Sequence, residues 1–150
     1  MGRILTLLHK YWSKSTAQRW MLAEAVLFLI LARLSLALLS FSRLARFLNW
    51  QPKCDKVIGA DRERLRKEVG EAVNVAAEHM PLEMVCFPRG IAVQAMLRRR
   101  GILTTLYYGV ANLSDRGLGA HVWVQDAAEG VIGHHIAGHY TVLMQYPNKC

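Results

Sequence analysis

The chain has 150 residues and a mass of 17.0 kDa, which is enough for one folded domain with a single hydrophobic core. Its hydrophobic fraction of 53% and its three cysteines exclude a disordered chain and a disulfide-stapled miniprotein. The net charge of +8 is concentrated in residues 1–53, which hold eight of the nineteen basic and one of the eleven acidic side chains, whereas a nucleic-acid-binding protein would carry its basic residues on the folded part.

Two regions are predicted from this uneven composition. Residues 1–53 form a basic, apolar, helical N-terminal region, and residues 54–150 form a nearly neutral folded core. Cys54, Cys86 and Cys150 include no CxxC pair, which favours a reducing compartment. No signal-peptidase site follows the N-terminal apolar run, so we expect a cytoplasmic protein.

The N-terminal region is predicted to contain one long helix from Trp20 to Leu48, because this stretch has no Pro or Gly and is rich in Leu and Ala. The helix is apolar nearly all round, which is typical of a helix in a protein core, against a partner, or in a membrane. Spanning is disfavoured, because Arg33 near the centre would cost about 2.5–3.5 kcal/mol and Glu24 adds to that cost. Packing within the protein or against a partner is favoured, and peripheral contact with a membrane surface stays open.

Two shorter helices are predicted next along the chain. Asp61 is the expected N-cap of a helix that runs to about Met80, with apolar residues at every third or fourth position. A second helix is expected to begin at or just after Cys86 and to end before Gly101, a residue typical of the position after a helix. Its last turn, Arg98–Arg100, is interpreted as a solvated helix end.

The last third of the chain is predicted to form a small antiparallel sheet, which gives an α+β fold class. The segments rich in β-branched and aromatic residues are Ile102–Ala111, Ala120–Gln125, Val131–His135 and Tyr140–Tyr146, with a loop over Asn112–Gly119. In the second of these strands, His121 and Trp123 share one face, and Val122 and Val124 share the other.

Cys86 and His121 are the candidate catalytic residues. At the start of a helix, unpaired N–H groups and the helix dipole favour a thiolate over a thiol. A histidine on a following strand can take the thiol proton, and this order is typical of Cys–His hydrolases. The alternative is a buried structural cysteine beside a helix cap.

The residues around these two positions resemble a known family. Residues 86–102 read Cys-Phe-Pro-Arg-Gly-Ile-Ala-Val-Gln-Ala-Met-Leu-Arg-Arg-Arg-Gly-Ile, and residues 120–124 read Ala-His-Val-Trp-Val. Together they are similar to the leader peptidase of lasso peptide biosynthesis, which has Cys-Leu-Pro-Arg followed by His-Ala-Trp-Val. The resemblance also includes the Leu-rich N-terminal helix and so extends over nearly the whole chain.

The resemblance implies a transglutaminase-like or papain-like cysteine protease core over residues 54–150, in which the nucleophile helix packs on a small antiparallel sheet behind a long apolar N-terminal helix. It implies Cys86 and His121 as the catalytic pair and removal of the leader from a ribosomally made precursor. The implied partners are that leader peptide, a separate leader-recognition protein and an ATP-dependent cyclase. The helix Trp20–Leu48 is the expected docking surface for a partner or a membrane.

The third catalytic member is left open by the sequence. The family places an Asp about a dozen residues after the His-x-Trp motif, but Val131–His135 contains no carboxylate. Asp126 is a poor candidate, because it lies on the opposite face of its strand or in the turn. His134, Asn112 and Asp115 are further candidates, as is a Cys–His pair oriented only by a backbone group or water.

No cofactor is expected. His135 and His139 are four residues apart, but Gly133 and Gly138 argue against a helix there, and neither HExxH nor a paired CxxC occurs. No glycine-rich phosphate loop and no nucleic-acid partner are predicted. Two alternative functions remain: a non-catalytic membrane- or scaffold-associated interaction module, and a transglutaminase-type acyl transferase with an amine acceptor.

Overall fold

The computed structural model describes residues 15–50, 57–81, 84–113, 117–127 and 129–147. Within these ranges the helices are α1 (Thr16–Leu38), α2 (Phe41–Asn49), α3 (Gly59–His79) and α4 (Cys86–Arg99). The strands are β1 (Thr105–Leu113), β2 (Gly117–Asp126), β3 (Glu129–Ile132) and β4 (Thr141–Tyr146), with a short 3₁₀ helix (His134–His139) before β4. The predicted α+β fold class is confirmed. The predicted boundary between residues 53 and 54 lies outside the described residues and stays a prediction.

The single N-terminal helix predicted over Trp20–Leu48 is wrong, because α1 and α2 are separate helices. Leu39 and Ser40 lie between them in extended conformations, with ψ angles of 142° and 150°. Serine is a favoured residue immediately before a helix, so a break at this point is chemically reasonable. After the break, α2 buries Leu44 and Leu48 in the hydrophobic core.

One face of α1 packs within the protein. For that face, this confirms the prediction that the apolar N-terminal helix packs against protein. Ala25, Leu29 and Ala32 are fully buried, and α1 packs against α3 and α4. Glu24 also faces this packed side, where its carboxylate accepts a 2.5 Å hydrogen bond from the Arg100 guanidinium. The negative charge of Glu24, which would oppose membrane contact, is therefore paired with a positive charge inside the protein.

The end of α4 differs from the solvated helix end predicted over Arg98–Arg100. Arg98 is only 8% exposed and donates hydrogen bonds to the Phe47 carbonyl at 2.9 Å and the Leu48 carbonyl at 3.5 Å, at the end of α2. Burial lowers the pKa of Arg98. With Arg100 paired to α1, only the middle arginine of the three is exposed. These arginines tie both N-terminal helices to α4.

The sheet has the strand order β3-β2-β1-β4, with every neighbouring pair antiparallel. The predicted alternation in β2 is confirmed, since Val122 and Val124 face α4. Gly90 permits this close approach, because a Cβ at Gly90 would lie 2.8 Å from Val122 Cγ1. The helix that carries Cys86 therefore lies directly against β2, the strand that carries His121.

Several predicted boundaries are wrong. The loop predicted over Asn112–Gly119 is largely strand, because β1 and β2 stay paired as far as Leu113 and Gly117. The strand predicted over Val131–His135 ends at residue 132, and the chain then enters the 3₁₀ helix. Asp61 lies in the first turn of α3 rather than at its N-cap, which is residue 58.

Candidate active site

Cys86 is the first residue of α4, as predicted. The preceding Val85 has an extended backbone and supplies no side-chain cap. The thiol of Cys86 is free and partly exposed. Pro88 lies in the first turn, where its missing N–H costs no helix hydrogen bond. The first N–H groups of a helix lack intrahelical acceptors, so backbone donors are available beside the Cys86 side chain.

His121 and Cys86 line the same open groove, which has a volume of about 690 Å³. The polar residues Asn74, Arg89 and His134 also line this groove. The structure thus brings the two predicted catalytic residues together from α4 and β2. No hydrogen bond joins the thiol to the imidazole in the part of the chain that the structure describes, and such contacts often tighten only when substrate is bound.

The imidazole of His121 is held in one orientation by three groups. Its Nε2 lies 2.8 Å from the carbonyl oxygen of Gly133. A carbonyl can only accept, so this contact places a proton on Nε2 and leaves Nδ1 as the basic nitrogen of the neutral ring. The Trp123 ring stacks beside it at a centroid distance of 6.0 Å, and the Tyr140 ring lies at 5.1 Å.

Gly133 can occupy this place because it has no side chain. Its φ of +69° lies in the left-handed region that favours glycine. A Cβ there would lie 2.8 Å from the Val122 carbonyl oxygen and 3.0 Å from Nε2 of His121. Gly133 is twelve positions after His121, and the resemblance led us to expect an Asp at about this place. A backbone carbonyl therefore holds the imidazole where that carboxylate would be expected.

Among the described residues, none of the other candidates for the third member makes a hydrogen bond to the imidazole. Asp126 is 2% exposed and accepts hydrogen bonds from Arg62 at 2.5 and 2.6 Å, so its carboxylate is occupied elsewhere. His134 lines the groove, but no hydrogen bond joins it to His121 among the described residues. Asn112 is exposed near the far end of β1. Asp115 lies outside the described residues.

Comparison with known proteins identifies the family. A family model described as Transglutaminase-like superfamily matches residues 27–145, about four fifths of the chain. The chain belongs to the transglutaminase-like superfamily. No curated protein and no solved structure matches it. This superfamily includes cysteine proteases and acyltransferases, and the matched range contains Cys86, His121 and Gly133.

The transglutaminase-like site also contains residues that sequence reasoning missed. Arg89 follows Cys86 by three residues and donates a 2.7 Å hydrogen bond to the Met84 carbonyl. Its second contact, 3.4 Å to Oδ1 of Asn74, reaches α3. The arginine in the Cys-x-Pro-Arg motif therefore fixes the segment that precedes the cysteine. Its place in that motif was the available signal, whereas nothing in the sequence pointed to Asn74 or Tyr140.

Asp126→Asn in this transglutaminase-like chain is expected to lower stability rather than to remove the chemistry. The neutral side chain would remove the ion pairs that the buried carboxylate of Asp126 makes with Arg62 and Arg66, a loss that costs about 3 kcal/mol in comparable buried pairs. Thermal unfolding should show a lower Tm, while any thiol-dependent activity measured well below that Tm should stay close to wild type. Asp61→Asn is the control, since its ion pair with Arg64 is exposed. An Asp126→Asn protein that melts normally but is inactive would contradict this account.

Proposed function

We propose that this protein is a cysteine peptidase that removes the leader from a ribosomally synthesised lasso peptide precursor before macrocyclisation. The observation that carries the proposal is the groove shared by Cys86 and His121. It contains the cysteine and arginine of one lasso-peptidase motif and the histidine of the other. The family membership supports the same thiol chemistry.

In the proposed first step, Nδ1 of His121 takes the proton from the Cys86 thiol. The sulfur attacks the carbonyl carbon at the end of the leader, and the C–N bond then breaks. The imidazolium gives its proton to the departing amine of the core peptide, which leaves the leader as a thioester on Cys86. Water, deprotonated by the same nitrogen, hydrolyses this thioester and releases the leader with a free carboxylate.

The start of α4 supplies the group that stabilises the oxyanion in this scheme. When the thiolate adds to the carbonyl, negative charge develops on the carbonyl oxygen beside the first turn of the helix. Backbone N–H groups at such a position are fixed before the reaction begins, so they stabilise that charge without reorganising. The Gly133 carbonyl accepts the hydrogen bond from Nε2 throughout the cycle. Nδ1 is therefore the nitrogen that takes up and releases protons.

Recognition of the leader is proposed to come from a separate protein in the cytoplasm, with an ATP-dependent cyclase acting on the released core peptide. The groove is open, so it supplies few contacts to hold a long peptide by itself. A recognition protein that binds both the leader and this peptidase would raise the local concentration of the scissile bond at Cys86. The isolated peptidase should therefore cut slowly, and the added recognition protein should accelerate it.

The proposal is tested by the product masses after incubation of purified protein with a synthetic precursor in ¹⁸O-labelled water. The expected products are the free core peptide and a leader that carries one heavy oxygen in its new carboxylate. A parallel reaction with an added alkylamine distinguishes hydrolysis from transfer. A leader amide as the main product would identify an acyl transferase, and an intact precursor after incubation with the recognition protein would overturn the proposal.

Gly133→Ala is expected to lower the cleavage rate by roughly 100-fold, because a shift of the imidazole by about 1 Å has that order of effect. The methyl group would meet both His121 and the Val122 carbonyl. Gly138→Ala is the matched control, since a Cβ there meets nothing within 4 Å. Measured kcat should fall while KM stays similar. If Gly133→Ala and Gly138→Ala cleave equally fast, the carbonyl does not position the base.

A further inference from the structure

The outer face of α1 is an exposed apolar surface that the proposed peptidase reaction does not use. We define it as the large apolar side chains opposite the buried Ala25, Leu29 and Ala32: Trp20, Val26, Leu27, Ile30, Leu31, Leu34 and Leu38. It extends along a helix of 23 residues, which is about 34 Å long. Within α1, which is described in full, Arg33 is the exposed charged residue.

The exposed charged residues on α1 and α2 are all basic. Glu24 is the single acidic residue in the first 53 positions, and it is turned inward against Arg100. Arg33, Arg43 and Arg46 are exposed on α1 and α2. By sequence, residues 1–14 add three basic and no acidic side chains. The surface therefore combines apolar side chains with positive charge and offers no exposed carboxylate over residues 15–50.

We infer that the outer face of α1 binds the surface of a membrane that contains anionic lipids, with α1 lying flat in the interface. Helices of this kind insert apolar side chains at the boundary between head groups and acyl chains, and basic residues beside them contact lipid phosphates. Trp20 and Phe41 are exposed near the two ends of α1, and Trp and Phe side chains are typical of the apolar face of interfacial helices.

The packing of α1 favours surface binding over spanning. By length and composition α1 is apolar enough to cross a membrane. Its inner face, however, is part of the hydrophobic core, and the Glu24–Arg100 ion pair fastens it to the end of α4. A spanning helix would have to leave the core and carry an unpaired carboxylate into lipid, whereas a helix that lies on the surface keeps all of these contacts.

The chemistry of the outer face favours lipid over a protein partner. Specific protein interfaces carry about one hydrogen bond per 100–200 Å². The outer face consists of aliphatic and aromatic side chains, and the nearby Ser35 hydroxyl already donates to the Ala32 carbonyl at 2.8 Å. Acyl chains require no hydrogen-bonding groups, so an anionic membrane matches both the apolar character and the charge.

The test is flotation of the full chain with vesicles of phosphatidylcholine alone or mixed with phosphatidylglycerol. We expect binding to the mixed vesicles that weakens with salt, and weaker binding to the neutral ones. The triple variant Leu27→Ser, Leu31→Ser, Leu34→Ser should lower this binding by about tenfold or more, because it removes inserted side chains. The control is Leu118→Ser with Leu143→Ser, two exposed apolar residues on the sheet, and it should bind as wild type does.

Three results would overturn the inference: no binding to anionic vesicles, equal binding to both vesicle types, or undiminished binding by the triple variant. If the outer face instead binds a second copy of the chain or a partner protein, the chain will not bind anionic vesicles. The assay contains no precursor, so its outcome does not depend on the proposed peptidase function. Circular dichroism of the variants confirms that the substitutions, all at exposed positions, leave the fold intact.

Discussion

Cys86→Ala is expected to abolish leader removal and to leave the fold intact. The sulfur forms the covalent bond in the proposed reaction, and a methyl group cannot replace it. The side chain is partly exposed at the first position of α4, so its removal leaves no large cavity. Cys86→Ser should retain little activity, because a hydroxyl is far harder to deprotonate. Mass spectrometry of the precursor measures the cleavage rate, and thermal unfolding checks the fold.

Cys54→Ala is the control for the loss of a thiol, and it should cleave at the wild-type rate. Iodoacetamide provides a second readout, since we expect fast alkylation at Cys86 and slow alkylation at Cys54. Undiminished cleavage by purified Cys86→Ala would show that the nucleophile lies elsewhere. Equal alkylation of the two thiols would favour an interaction module in which the cysteine is structural.

His121→Ala is expected to reduce kcat/KM almost as much as the loss of the cysteine. The nucleophile and its base act as a unit, so their separate losses do not add. The double variant Cys86→Ala, His121→Ala should be no worse than either single variant. The fold should persist, although the ring also packs beside Trp123 and Tyr140. The cleavage rates of the three variants and their unfolding curves provide the comparison.

His79→Ala is the matched control for this prediction, because His79 is exposed at the end of α3 and its one side-chain hydrogen bond among the described residues is to the Val75 carbonyl. It should cleave as wild type does. A His121→Ala protein with near wild-type cleavage would remove the base from the mechanism. If His134→Ala were the inactive variant instead, that histidine, which also lines the groove, would take the role of the base.

The sequence was sufficient to place the helix that carries Cys86 and the strand that carries His121. Pro88 and Gly101 are local signals for the two ends of a helix, and they operate within one or two turns. The alternation of Val122 and Val124 with His121 and Trp123 is likewise a local pattern. Such signals depend only on residues that are near in sequence, so these elements could be predicted without knowledge of the tertiary structure.

The contacts that complete the site and the helix packing could not be predicted, because the residues that make them are distant in sequence. A backbone carbonyl such as that of Gly133 is present at every residue, and only the end of β3 and the left-handed turn aim this one at His121. The three consecutive arginines resemble a solvated helix end, but Arg98 is buried against Phe47, which lies 51 residues earlier. Tertiary structure overrides the local pattern in both places.

The most direct test of the central claim is an affinity label: the leader sequence ending in a chloromethyl ketone, incubated with wild-type protein and mapped by tandem mass spectrometry. We expect one adduct per chain at Cys86, formed much more slowly in His121→Ala and accompanied by loss of precursor cleavage. Labelling at Cys54 or Cys150 instead, or a chain labelled at Cys86 that still removes the leader, would contradict it.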